Sequence, residues 1–221
     1  MGVLLMLMTL GGLAIAAILL AIAWLNESAW LKKFVLGGVA IWLGFYGVML
    51  IGVSLTSSDR RIAVGDTDGK EYCGFYLDCH MHTAVSDVRR SRSIGPLRTK
   101  GEYYIVAVNI SSNAKAATLG LHNVAASVID ADGREYERDL RAEEELGPQP
   151  EFEELVGPGE SFTKEIVFDL PVDVANPKLD IREGLGIDRL IEAVQIGDED
   201  SIFHARSYFK LQEQNTGESV K

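Results

Sequence analysis

The chain has 221 residues, with 21 basic against 32 acidic side chains, a net charge of −11, two cysteines and four histidines. That balance argues against a nucleic-acid partner, because phosphate binding draws on Lys and Arg to release counterions, and two cysteines cannot frame a disulfide-stapled mini-domain. A mean hydropathy of +0.09 is too high for a uniformly acidic domain, so very apolar and very polar parts share one chain.

The first 55 residues hold only three charged side chains, Glu27, Lys32 and Lys33, and the remaining 166 carry 19 basic and 31 acidic ones, net −12. Met1 to Leu25 has no charge at all, and as a helix it reaches ~37 Å, more than the ~30 Å of a bilayer core. Phe34 to Leu55 is also uncharged and spans ~33 Å on the same rise. The polar link Asn26 to Lys33 between them predicts an antiparallel transmembrane hairpin, with spans near 3–25 and 34–55 and the anchor as a whole at 1–55. Trp24 and Trp30 bracket the link, at the headgroup level that amphipathic rings favour. Gly37, Gly38, Gly44, Gly47 and Gly52 suit either close packing on a neighbouring helix or the general glycine content of membrane helices. Ala21-Ile22-Ala23 has the form of a signal-peptidase site, but no Lys or Arg precedes it and the apolar run exceeds a signal core. Two retained helices are the expectation. Lys32 and Lys33 place the link in the cytoplasm and the C-terminal domain outside it, against the weaker pull of Arg60, Arg61 and Lys70.

A linker over 56–70 leads to Glu71 to His82, EYCGFYLDCHMH, which gathers both cysteines and two of the four histidines. Cys73 and Cys79 suit a disulfide in an oxidising compartment. An extended segment would hold their α-carbons ~20 Å apart and a bridge needs ~5.5 Å, so the chain must fold back, and Gly74 permits it. Such a small loop would add ~2.4 kcal/mol in the chain-entropy model. Two other readings stay open: a Zn or Cu site drawing on Cys73, Cys79, His80 and His82, whose spacing matches no familiar ligand signature, and two free buried thiols. Arg89, Arg90 and Arg92, followed by Arg98 and Lys100, form a basic cluster on an acidic domain. It reads as a solvated loop or as a patch for anionic headgroups or an acidic partner.

Beyond it the pattern is that of short strands. Tyr103 to Ile110 is apolar, aromatic and β-branched, as a central strand requires. Asn123 to Ile129 and Arg134 to Glu137 flank Asp132-Gly133, a hairpin signal. Arg141 to Glu154, with Glu143-Glu144-Glu145, reads as a solvated acidic loop. Ser161 to Leu170 follows the Gly157-Pro158-Gly159 turn and stops at Pro171, and Lys178 to Arg182 and Phe203 to Leu211 add two further strands. Ile187 to Ile196 fits a short helix or a strand equally well. About seven or eight strands at this spacing predict a two-sheet sandwich over 71–211, and 212–221 reads as a disordered tail. The Asp-x-Asp-Gly stretches at Asp66 and Asp130 are ordinary turn chemistry without the rest of a calcium loop. No nucleophile elbow, Walker loop, dinucleotide fingerprint or HExxH motif is present.

Three blocks carry a resemblance: Tyr104-Ile-Val-Ala-Val-Asn-Ile-Ser-Ser-Asn113, Ile129-Asp-Ala-Asp-Gly-Arg-Glu-Tyr136, and Gly157-Pro-Gly-Glu160 with Ile166-Val-Phe-Asp-Leu-Pro171. In that order they resemble the telokin-like, immunoglobulin-fold extracellular domain of unknown function tethered to bacterial membranes. The resemblance covers about Gly101 to Pro171 and implies a fold and a location outside the cytoplasm. The double-helix anchor and the Cys/His segment depart from that family's usual pattern. Together these features predict an all-β immunoglobulin-like sandwich behind a two-helix transmembrane hairpin. Its expected role is non-enzymatic and cofactor-free, partnering the lipid bilayer and another envelope or cell-surface protein. A metal-binding or redox envelope protein is the alternative.

Overall fold

The computed structural model describes residues 2–67, 69–72, 80–183 and 191–211. Two compact units emerge: Met1–Asp59 with Gly186–Arg206, and Arg60–Leu185 with Ser207–Lys221. Among the described residues the first contains two long helices and the second nine strands and a short helix.

In the first unit, α1 (Gly2–Leu25) and α2 (Ala29–Thr56) are both long and apolar enough to cross a membrane. The link is shorter than the sequence suggests. Only Asn26, Glu27 and Ser28 lie outside the helices, because Glu27 turns the chain with φ 50° and Ser28 caps α2 through its Oγ, which accepts from the Leu31 N–H. Lys32 and Lys33 are therefore in the opening turns of α2. One row of shielded residues on α1 includes Met6, Thr9, Leu13, Ala16, Leu20 and Ala23, and one on α2 includes Leu31, Val35, Val39, Trp42, Tyr46, Leu50 and Val53. Steps of three and four on both helices are those of knobs fitting holes at a shallow crossing angle. One hydrogen bond crosses this seam, from Trp42 Nε1 to Thr9 Oγ1 at 3.0 Å. The five glycines of α2 do not serve the seam, since a Cβ at any of them would meet nothing within 4 Å.

The second unit is a β-sandwich. One sheet has the order β1 (Arg60–Ile62), β9 (Ser207–Lys210), β8 (Lys178–Arg182), β5 (Ala125–Ile129), β6 (Glu135–Glu137). The other runs β2 (Lys70–Tyr72), β3 (Met81–Ile94), β4 (Leu97–Ser112), β7 (Ser161–Leu170). All neighbours are antiparallel except β1 and β9, which run parallel with Arg60 beside Ser207. The strand expected at Ser161 to Leu170 is present as β7, whose Ile166, Phe168 and Leu170 join Tyr104, Val106, Val108 and Ile110 of β4 in the core. Opposite them lie Ala126, Val128, Leu179, Ile181 and Phe209 of the other sheet. β4 is buried continuously from Tyr103 to Ala107 because its outer face is covered as well. Tyr103, Ile105 and Val167 pack there against Ala142 of α3 (Leu140–Glu144) and Ile94.

Four expectations change. Arg89 to Lys100, where the sequence suggested a basic loop, lies in the β3–β4 hairpin, the longest among the described residues. Arg141 to Glu154 is not uniformly solvated: Glu143 is buried, accepts a fork from Arg138 (Nε at 2.9 Å, Nη2 at 2.5 Å) and takes the Val167 N–H at 3.1 Å. Strand β9 begins at Ser207 rather than near Phe203, since residues 201–206 belong to the helical unit. The sandwich opens at Arg60, within the stretch read as linker, because Ile62 is drawn into the core. The tail 212–221 lies outside the described residues.

Two lysines, Lys70 and Lys164, are buried in the sandwich, and Lys70 links the two sheets. Lys70 Nζ donates to the Ile181 carbonyl at 2.6 Å and lies 3.9 Å from Asp180, which Arg182 Nε holds at 2.6 Å. Tyr72 reaches the same carbonyl at 3.2 Å and Thr83 Oγ1 at 3.1 Å. Strand β2 of one sheet is thus stitched to β8 of the other.

Candidate interaction surface

The β3–β4 hairpin is long enough to outrun its neighbours. Its turn is Gly95-Pro96, with Gly95 at φ 53°, a conformation that suits glycine. Strand β4 pairs with β7 only from Glu102 onward, opposite Leu170. The remaining part is an arm, and the ladder within it is irregular: Ser91 faces Tyr103, but Ser93 faces Arg98. Thr99 to Glu102 therefore lie opposite the single residue Arg92. A bulge of this kind bends a strand and redirects its side chains. Thr99 fixes its shape, accepting the Gly101 N–H at 2.9 Å and donating to Asp169 of β7. Beside the bulge is an open groove of about 400 Å³, lined by Arg98, Thr99, Lys100, Tyr136, Asp169 and Pro171 among others.

The arm divides the sequence-singled arginines. Arg89 Nη2 donates to Glu165 Oε1, and its Nε lies 3.7 Å from Asp87. Arg90 lies 3.9 Å from Glu102 and stacks over the Tyr104 ring, 4.7 Å from its centroid. Both serve the sheet that carries them. Arg92, Arg98 and Lys100 are exposed and form no ion pair among the described residues. From Val88 to Gly101 there is no carboxylate in the sequence, and the acids nearest the arm come from elsewhere in the chain: Asp169 lines the same groove as Arg98 and Lys100, and Glu145 lies against Gly95.

The other sequence candidates are placed differently. His80 and His82 both bind the Asn113 side chain: His80 Nδ1 with Oδ1 at 2.5 Å, and His82 Nε2 with Nδ2 at 2.8 Å. In that arrangement His80 donates and His82 accepts, so Asn113 reads the two rings in opposite protonation roles. Cys73 and Cys79 lie outside the described residues, and with them the disulfide. Among the described residues no three His, Cys, Asp or Glu side chains converge as a metal centre. His122 donates its backbone N–H to Glu183, and the His204 ring lies 2.7 Å from the Ala205 carbonyl. The Asp130 turn closes on itself. Its Oδ1 accepts the N–H groups of Asp132 (2.9 Å) and Arg134 (2.8 Å), and its Oδ2 accepts the Tyr136 hydroxyl (3.1 Å). Burial works against the Asp130 carboxylate, but these bonds outweigh it and hold the group below the usual carboxylate range.

Fold and surface define a class, a two-sheet β-sandwich carried behind two long apolar helices, with a basic arm on an acidic body. The family model described as Domain of unknown function (DUF4352) matches residues 78–189, half of the chain, and the chain belongs to that family. No curated protein matches it. Among solved structures it is similar to MPT63, a secreted protein from Mycobacterium tuberculosis, at 17% identity over 58% of this chain and 100% of that chain, with a TM-score of 0.41. It is also similar to an uncharacterized beta-sandwich protein from Clostridium difficile 630 (11% identity, 71% and 96% covered, TM-score 0.38). A third is the yjhA protein from Bacillus subtilis (13% identity, 69% and 99% covered, TM-score 0.41).

Proposed function

We propose that this protein is a membrane-anchored accessory module that acts by binding rather than by catalysis. Helices α1 and α2 form a transmembrane hairpin, and an immunoglobulin-like sandwich of telokin type stands outside the cytoplasm. There it engages an acidic segment of another envelope or cell-surface protein through the β3–β4 arm. The observation that carries the binding role is the arm itself, where Arg92, Arg98 and Lys100 are exposed without ion-pair partners on a chain of net charge −11. Long-range attraction of this sort raises encounter rates and selects partners more than it adds affinity. Support for the anchor comes from the hydropathy of the two helices and from the shallow-crossing seam between them.

The reading is tested by topology. Alkaline phosphatase fused after Leu211 is active only when exported, and an inactive fusion would remove the extracytoplasmic assignment. Retention of the chain in the membrane pellet after alkaline carbonate washing is the matching expectation for the anchor.

A further inference from the structure

Between β8 and β9 the chain leaves the sandwich, joins the helical unit and returns, and residues 191–206 of that excursion are described in contact with α2. Resting on the anchored reading above, we propose that this segment is a third lipid-contacting element. Its Ile202–Phe203 tip would be seated in the headgroup–acyl boundary of the bilayer that the two helices span.

The register places it there. The Thr9–Trp42 bond aligns the antiparallel helices, and seven residues back from Thr9 sets Gly2 opposite about residue 49 of α2 at the common rise per residue. The last two turns of α2 thus extend past the end of α1. The excursion flanks them: Tyr46 Oη donates to the Val194 carbonyl at 2.7 Å, and the Ser54 and Ser201 hydroxyls meet at 3.3 Å. Beyond these, Ser57 Oγ accepts the Ala205 N–H at 2.7 Å, and Asp59 accepts that of Arg206 at 3.3 Å. The two segments run in the same direction along this series. At its start the segment touches α1 so closely that a Cβ on Gly2 would lie 1.8 Å from the Ile196 carbonyl oxygen. Phe203 therefore falls between the level of Ser54 and that of Ser57. Leu55, the last apolar residue of α2, is at this level, and hydroxyls and Asp59 follow.

The tip is built against its own interest in water. Phe203 has φ 65° and is 71% exposed, and Ile202 is 44% exposed. A bulky residue in the left-handed region is strained, and a side chain 71% exposed gains little packing to compensate. The polar groups beside it are internally matched: Arg206 lies 3.5 Å from Asp200, and Asp198 accepts from the Gln195 side chain and the Asp200 N–H. An exposed aromatic–aliphatic tip beside hydrogen-bonded polar groups, level with a helix end, is the composition of an interfacial anchor.

The test uses the full chain in phosphatidylcholine nanodiscs with hydroxyl-radical footprinting. Leu155 and Val172 of the sandwich, each 65% exposed, report the labelling of exposed apolar side chains, and Phe34 and Phe45 on α2 report protection by lipid. The proposal predicts loss of labelling at Phe203 to the level of Phe34 and Phe45. A lipid with a diazirine near its carbonyl should also form adducts within 201–206, and Phe203→Gly, which relieves the positive φ, should abolish them while the helix adducts remain. Phe203 labelled like Leu155 while Phe34 and Phe45 stay protected would overturn the proposal and leave the anchor standing. Labelling of all three rings would overturn both.

Discussion

Lys70 is a charge where the strand pattern calls for an apolar residue, and its removal should be felt across both sheets. Methionine fills the same volume without the ammonium and takes one cation from beside the buried Asp180, and loss of one partner from a buried ionic site destabilises by about 3 kcal/mol. Pulse proteolysis in urea on Lys70→Met should show that drop, and an unchanged midpoint would mean the site is neutral to folding. Asp130 gives the pH counterpart. Its carboxyl is held below the ordinary range in the folded chain, so its contribution is full above about pH 4, the unfolded value, and is lost as pH falls through the lower folded one. Asp130→Asn should be less stable than the parent at neutral pH, and the gap should close on acidification. A gap independent of pH would show that the carboxylate charge is not what the turn uses.

Among elements, α3 shows how one residue of a run can differ from its neighbours. Glu143, Glu144 and Glu145 are chemically alike, but Asp139 caps the short helix through the Ala142 N–H and the resulting turn aims only Glu143 at Val167 and Arg138. Glu143→Ala removes two charge-assisted bonds and one to a buried N–H, and should cost about 3 kcal/mol. Glu143→Gln keeps an acceptor for the Val167 N–H and should cost distinctly less. Equal losses in urea titrations would contradict the fork. The Asp139 cap and an Arg one position before it were visible as residues. Their meaning was not, since it depends on a strand more than twenty residues away. The β3–β4 arm was missed for a related reason. Met81, Thr83 and Val85 alternate inward, but the bulges at Ser86 and Arg92 break the period, and the outward arginines resemble a loop.

For the whole molecule, the proposed partner contact through the arm makes a prediction about charge. In neutral-lipid nanodiscs the full chain should bind a Glu-rich peptide with an affinity that weakens as salt rises. The double substitution Arg98→Glu and Lys100→Glu should lose most of that binding, by about tenfold or more, if each charge contributes about 1 kcal/mol. Lys115→Glu, a single reversal at an exposed site away from the arm, should bind as the parent does. If both variants weaken binding in proportion to net charge, the arm is only part of a diffuse field.

The amino-acid sequence alone determined the two apolar helices, the strands at Ser161–Leu170 and Lys178–Arg182, and the Asp-Gly hairpin. Each rests on short-range causes: uninterrupted hydrophobicity, side-chain period and turn chemistry. Only the tertiary structure decided that Arg89 and Arg90 serve their own sheet while Arg92, Arg98 and Lys100 stand apart, that Asn113 joins His80 to His82, and that 191–206 leaves the strands for the helices. Those outcomes depend on which distant carboxylate, amide or hydroxyl each group meets, and pairing across the fold leaves no local pattern in the chain.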